Sequence, residues 1–212
     1  MAPTGDAAGG AVPGGAADSG DPIARFEALL AAAEALDRAV LPEPTAMTLA
    51  TVGPDGRPSA RIVLLKSVGA DGFVFYTNLR SRKGRELLGN PHAALCFHWQ
   101  ALEQQVRVEG PVTLVPDAEA DGYFATRPRI SQLGAWASDQ SEPLAEYAHL
   151  ERRLREAEQR FGTGPVPRPP HWSGFRLLPH CIEFWRSRPF RLHERERFER
   201  HGDAWRMVRL YP

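Results

Sequence analysis

The chain carries no excess of either charge. Its 26 Lys and Arg balance its 26 Asp and Glu over 212 residues, so no bulk field selects nucleic acid or an anionic membrane surface as a partner. Cysteine is scarce. Cys96 and Cys181 are the only two, far apart and each within an apolar run. They read as small buried thiols of a reducing compartment and argue against a metal site. No apolar run approaches the roughly 20 residues of a membrane-spanning helix. The start of the chain lacks the basic residues and continuous apolar stretch of a signal peptide. A soluble cytoplasmic protein is therefore expected. A G-x-G-x-x-G fingerprint, a P-loop and internal repeats are also missing, which weighs against a Rossmann-type nucleotide site.

What is present suits one domain. Apolar residues make up 42% of the chain, enough for a sizeable core. Residues 1–20 are almost entirely Ala, Gly, Pro, Asp, Ser and Thr, the composition of a disordered tail, which leaves residues 21–212 as the folded unit. Asp21-Pro22 predicts a helix start, with Asp21 as N-cap and Pro22 in the first turn. Phe26, Leu29, Leu30, Ala33 and Leu36 give that helix an apolar stripe. Strands are expected over 47–52, 59–68 and 73–77, joined by Gly-rich turns into an antiparallel meander. Further strands are expected over 92–99, 103–114, 175–185, 190–200 and 205–210. Helices are expected over 81–88, 117–126, 131–137 and 143–161. Short strands with few crossover helices imply a mainly β, α+β architecture, an antiparallel barrel flanked by helices.

Four constellations carry chemistry. Arg61-Ile62-Val63-Leu64-Leu65-Lys66 is an apolar strand bracketed by two cations, which reads either as snorkelling ends or as an anion site. Tyr76-Thr77-Asn78-Leu79-Arg80-Ser81-Arg82-Lys83 runs from a strand into a helix whose first turn is basic. Those charges oppose the helix dipole, and a bound phosphate would resolve the conflict. Tyr123, Arg127 and Ser131 fall at steps of four on a path broken by Pro128, which suits a second phosphate cradle or a plain helix surface. Gln104-Gln105, and Gln140 with Ser141, are able to read the edge of a flat heterocycle or to serve as ordinary polar residues.

The fifth feature is Arg191-Leu192-His193-Glu194-Arg195, after the aromatic pair Phe184-Trp185. Taken as part of a strand, it places Arg191, His193 and Arg195 on one face and Leu192 and Glu194 on the other. Three cationic or titratable groups on one face need an anion or an electron-rich ring opposite, unless the strand is a solvated edge.

In order and spacing these segments, together with Pro44-Thr45-Ala46-Met47, Gly134-Ala135-Trp136 and Arg127-Pro128-Arg129, resemble the pyridoxine (pyridoxamine) 5'-phosphate oxidase family over nearly all of 21–212. The resemblance implies an FMN-binding split β-barrel, homodimeric, with FMN at the subunit interface. It implies that Arg61, Ile62, Val63, Leu64, Leu65, Lys66, Tyr76, Thr77, Arg82 and Lys83 surround FMN. Gln105, Gln140, Ser141, Trp185 and Arg195 would complete that pocket. Lys66, Tyr123, Arg127 and Ser131 would hold the substrate phosphate, and Arg191 and His193 would be catalytic and face the substrate ring. The implied reaction oxidises pyridoxine or pyridoxamine 5'-phosphate to pyridoxal 5'-phosphate and reduces O2 to hydrogen peroxide, with no nucleic acid or membrane partner. The alternatives are a related flavin oxidase of secondary metabolism, of the phenazine type, and a non-catalytic split-barrel carrier. The chain departs from the family where residues 1–20 lack Arg, Lys and Tyr, where Ile130 replaces an acidic residue, and where Glu194 replaces Asp.

Overall fold

The computed structural model describes residues 20–212, so the expected tail, Gly20 apart, lies outside the described residues. Helix α1 (Pro22–Glu34) starts as expected, with the Asp21 carboxylate accepting from the Ile23 N–H at 2.9 Å. Strands β1 (Ala46–Val52) and β2 (Pro58–Leu64) form an antiparallel hairpin. There follow β3 (Ser67–Gly69), β4 (Gly72–Asn78), α2 (Arg82–Gly89), β5 (His92–Trp99) and β6 (Gln104–Leu114). Helices α3 (Asp117–Thr126), α4 (Arg129–Ala137) and α5 (Tyr147–Phe161) come next, and then β7 (Trp172–Leu177), β8 (Cys181–Arg186), β9 (Glu194–His201) and β10 (Ala204–Arg209). Among the described residues, no helix is long and apolar enough to cross a membrane.

All pairings are antiparallel. One path runs β10-β9-β8-β6-β5-β1-β2, and a second sheet continues from β6 through β7 and β4 to β3. The long strand β6 belongs to both, pairing β8 through its first half and β7 through its last three residues. Sharing one strand curls the two sheets into a half-barrel.

Three expectations change here. The strand expected over 59–68 is two, because the chain leaves the first sheet at Leu65-Lys66 and joins the second. The meander therefore holds only in its two hairpins, β1–β2 and β3–β4, and breaks between β2 and β3: β4 pairs β3 and β7 rather than β2. The strand expected over 175–185 is also two, separated where the chain crosses between the sheets. Composition does not show either break, since apolar content is continuous while the sheet changes.

The core follows from strand alternation. Met47, Leu49 and Thr51 point inward from β1, and Ala93, Leu95, Phe97 and Trp99 from β5. Helix α1 plugs one end: Phe26, fully buried, meets Phe73 and Phe97 edge-on, each at 4.8 Å. A second cluster of Phe124, Leu133, Ala157, Val166 and Trp172 binds α3, α4 and α5 to the sheet. The outer sheet face is different. The register lines up Ile62, Thr48, Cys96, Arg107, Glu183 and Arg197 as one row across six strands. Both cysteines lie on this face, free and half-buried rather than in the core, and burial raises both thiols above their usual range.

One glycine fixes the entry to α2. A Cβ on Gly84 would sit against the Leu79 carbonyl and 2.7 Å from the Asn78 oxygen. Gly84→Ala is expected to destabilise the fold by about 1–3 kcal/mol through overpacking against rigid backbone, read as a lower denaturant midpoint. An unchanged midpoint would show that this turn relaxes freely.

Candidate active site

A cleft of about 900 Å³ opens between β2, β4, the start of α2, and α3–α4. It gathers much of what the sequence singled out: Arg61, Ile62, Val63, Leu64, Lys66, Tyr76, Thr77, Lys83, Tyr123, Arg127, Ser131 and Gln140 all line it. Leu65 does not, because its side chain is buried in the core. Arg82 and Ser141 lie outside the lining, both exposed.

The floor is aromatic. Tyr76 stacks on Tyr123 at 4.0 Å and on Trp172 at 5.3 Å, with rings within 13° of parallel. Burial, reinforced by Glu119 and Tyr123, pushes the Tyr76 hydroxyl up to about 12, so it remains a neutral donor. Arg127 lies over Trp172, its guanidinium carbon 4.8 Å from the ring centre. Its Nη1 is buried and has no hydrogen-bond partner, and burial lowers its pKa. A buried guanidinium N–H without a partner is costly unless a ligand supplies the acceptor. Pro128 explains the placement. It ends α3 and holds Arg127 extended at ψ 147°, as a residue before proline prefers, and α4 then restarts so that Ser131 faces the same cleft.

At the other end, Ser81 caps α2 by accepting from the Gly84 N–H. Lys83 Nζ reaches the Gln140 Oε1 at 2.9 Å and the Thr77 hydroxyl at 3.2 Å. Burial, then the charge of Arg61, lowers the Lys83 pKa. Glu86, one turn into α2 and 6% exposed, pairs with Arg61 at 3.2 Å and Arg82 at 2.9 Å. Burial opposes its charge, but hydrogen bonds from Ser59, Thr51, Arg82 and Arg61 outweigh that and hold its pKa at about 2.

The C-terminal group forms a separate cluster. Gln105, Trp185 and Arg195 sit side by side on β6, β8 and β9. The expected alternation of Arg191, His193 and Arg195 on one strand face does not occur. Residues Pro189–Arg191 form a 3-10 turn, and Phe190 and Arg191 adopt positive φ of 59° and 62°; β9 begins only at Glu194. Proline at 189 denies the sheet a donor and starts the turn. Arg191 is thus presented on an exposed bend. His193 packs on Trp185 at 4.6 Å, and its Nδ1 accepts from the Arg188 N–H at 3.2 Å, which leaves Nε2 as the donor. Arg195 turns to Glu183, donating from Nε at 2.9 Å.

Residues 33–161 match the family described as pyridoxamine 5'-phosphate oxidase, and residues 172–212 the pyridoxine 5'-phosphate oxidase C-terminal dimerisation region. The chain belongs to the pyridoxamine 5'-phosphate oxidase family. Its class is therefore oxidoreductase. It is 56% identical over 192 residues to the pyridoxine/pyridoxamine 5'-phosphate oxidase of Gluconobacter oxydans (strain 621H), covering 91% of this chain and 94% of that one. It is 61% identical over 175 residues to the protein of the same name from Rhodospirillum rubrum, covering 80% and 87%. Among solved structures, PhzG from Burkholderia lata 383, in complex with tetrahydrophenazine-1-carboxylic acid, superposes with a TM-score of 0.85 at 34% identity, covering 92% of this chain and 94% of that one.

Some residues in and around these clusters escaped sequence reading. Trp172 floors the cleft, and Glu86 and Glu183 hold arginines. A signal existed for each acid, a lone carboxylate in the basic helix Arg82–Gly89 and in the apolar strand Cys181–Arg186. Ile130, where the family resemblance leads one to expect an acid, is exposed. Arg129 instead donates to the Gly162 and Gly164 carbonyls.

Proposed function

We propose that this protein is an FMN-dependent oxidase that converts pyridoxine or pyridoxamine 5'-phosphate to pyridoxal 5'-phosphate, reducing O2 to hydrogen peroxide. The observation that carries the reading is the buried, unpartnered Nη1 of Arg127 beside Tyr123, Ser131 and Lys66 in one cleft. These groups provide the charge and donors that a phosphate monoester takes up.

The residues present also fit FMN. Lys83, Thr77 and the capped start of α2 offer donors at the far end of the same cleft, and among the described residues Arg82 donates from Nε to Glu86, which leaves both Nη groups for a phosphate. FMN, when bound, supplies the hydride acceptor for the substrate C4' and the route of electrons to O2. The chain supplies the geometry. Arg127, Tyr123, Ser131 and Lys66 anchor the phosphate, which is remote from the reacting carbon, and that binding energy orients the ring. Arg191 clamps the ring by stacking and charge, and His193 offers its Nε2–H near the reacting group.

The two clusters also support a homodimer. Gln105, Trp185, Arg191, His193 and Arg195 are absent from the cleft lining, so one protomer's cleft lacks them. The match of residues 172–212 to a dimerisation region and the half-buried outer sheet face fit a two-fold pairing in which the partner's cluster closes each cleft. FMN would then lie at the subunit interface. A phenazine-type substrate lacks the phosphate that Arg127 awaits, which favours the B6 phosphate over that alternative.

The deciding experiment is anaerobic mixing of the yellow holoenzyme with pyridoxine 5'-phosphate. Flavin absorption is expected to bleach, with pyridoxal 5'-phosphate formed in proportion. A flavin that stays oxidised would overturn the reading.

A further inference from the structure

We propose that Glu86 is a positioning residue for the cofactor phosphate: a buried carboxylate that fixes Arg61 and Arg82 before FMN arrives. The proposal rests on the FMN reading above and concerns how this chain builds that end of the cleft.

A carboxylate beside a phosphate site is at first sight a fault, since like charges repel. The hydrogen bonds give it a purpose. Glu86 Oε2 accepts from the Thr51 hydroxyl at 2.5 Å, the Ser59 hydroxyl at 2.6 Å and Arg61 Nη2 at 3.2 Å, while Oε1 accepts from Arg82 Nε at 2.9 Å. Thr51 and Ser59 are direct partners across the β1–β2 hairpin. Each hydroxyl also accepts from Arg61: Thr51 from Nη1, and Ser59 from Nη2 at 2.6 Å. Both hydroxyls therefore relay between the guanidinium and the carboxylate, and the strand register fixes where they stand. Arg61 is held from two sides.

Arg82 is held differently. Its side chain is 61% exposed, yet its Nε is anchored to Glu86 one turn along the same helix. An unanchored arginine there would sample many rotamers and lose that freedom only on binding. Anchoring through Nε leaves the planar Nη pair aimed outward for a bidentate contact. The charges also match the ligand. Arg61, Arg82 and Lys83 with Glu86 leave three positive and one negative charge, a net of two against a phosphate dianion. Without Glu86, three cations crowd one helix start whose dipole already disfavours them.

Two accounts of Glu86 predict opposite signs. If it acts only as a nearby negative charge, Glu86→Gln tightens FMN. If it positions the arginines, Glu86→Gln weakens FMN and spares riboflavin, which has no phosphate. The test prepares apoprotein of the wild type and Glu86→Gln and titrates each with FMN and with riboflavin, following quenching of flavin fluorescence. The expected result is about a tenfold or greater rise in the FMN dissociation constant with riboflavin binding unchanged. FMN binding as tight as wild type or tighter overturns the proposal, and so does an equal loss for both flavins, which marks a mere structural brace. Should Glu86→Gln fail to fold, Ser59→Ala breaks one relay without altering charge. It is expected to weaken FMN selectively, and an unchanged FMN constant overturns the proposal. A wild-type apoprotein that binds no FMN sinks the cofactor reading itself and this proposal with it, a result distinct from a silent Glu86.

Discussion

Replacing Arg127 by alanine is expected to lower kcat/KM for pyridoxine 5'-phosphate by roughly a hundredfold, the size seen when one partner of a buried charge pair is removed. The reason is the state of Arg127 in this structure. Trp172 and Phe124 cover its guanidinium, and Nη1 is buried without a partner among the described residues, so part of its desolvation cost is met before substrate binds. The phosphate gains a preorganised partner, and that gain disappears with the side chain. Because the phosphate is remote from the reacting carbon, part of the loss should appear in kcat, as misorientation of the ring. Steady-state kinetics with pyridoxine 5'-phosphate and with unphosphorylated pyridoxine separate these contributions. The variant should lose most of its preference for the phosphorylated substrate. If that preference survives, the phosphate binds elsewhere.

The second large effect concerns the bend that carries Arg191. Arg191→Ala is expected to cut turnover by roughly a hundredfold while the flavin-to-protein ratio of the purified enzyme stays at the wild-type value. Arg82→Ala should do the reverse, losing FMN on dilution yet turning over near the wild-type rate when saturated with added FMN. Among the described residues, the Arg191 side chain has no hydrogen bond or ion pair that supports the fold. It is exposed on a turn with φ of 62°, beside a 92% exposed Phe190 also at positive φ. Two successive non-glycine residues in that region carry a backbone cost, which fits a segment shaped to present a side chain rather than to pack. Equal loss of FMN in both variants would show that the division between substrate clamp and cofactor anchor is wrong.

Much of the site was legible because its chemistry is local in sequence. The basic start of α2 and the capping Ser81 are neighbours along the chain, and Tyr123, Arg127 and Ser131 fall within nine residues. Pro128 looked like a defect in a helical path; it separates α3 from α4 and sets Arg127 between them. The Arg191–Arg195 segment misled because its alternating charges mimic a strand while Pro189 and the two positive φ angles start a turn. Glu86 and Glu183 were missed because a lone acid gains meaning only from the arginines that other strands bring to it.

The sequence by itself determined the α+β class, the start of α1, most element boundaries, and which cationic and hydroxyl side chains cluster along the chain. Those depend on local propensity, capping and alternation, which act over a few residues. Only the tertiary structure decided which strand pairs with which, and so that β6 serves both sheets and β4 leaves β2 for β7. It also decided that the predicted ligands fall into two clusters, one lining a cleft and one on the C-terminal strands. Strand pairing is a non-local choice settled by burial across the whole sheet, and no stretch of this chain records its partner in its own composition.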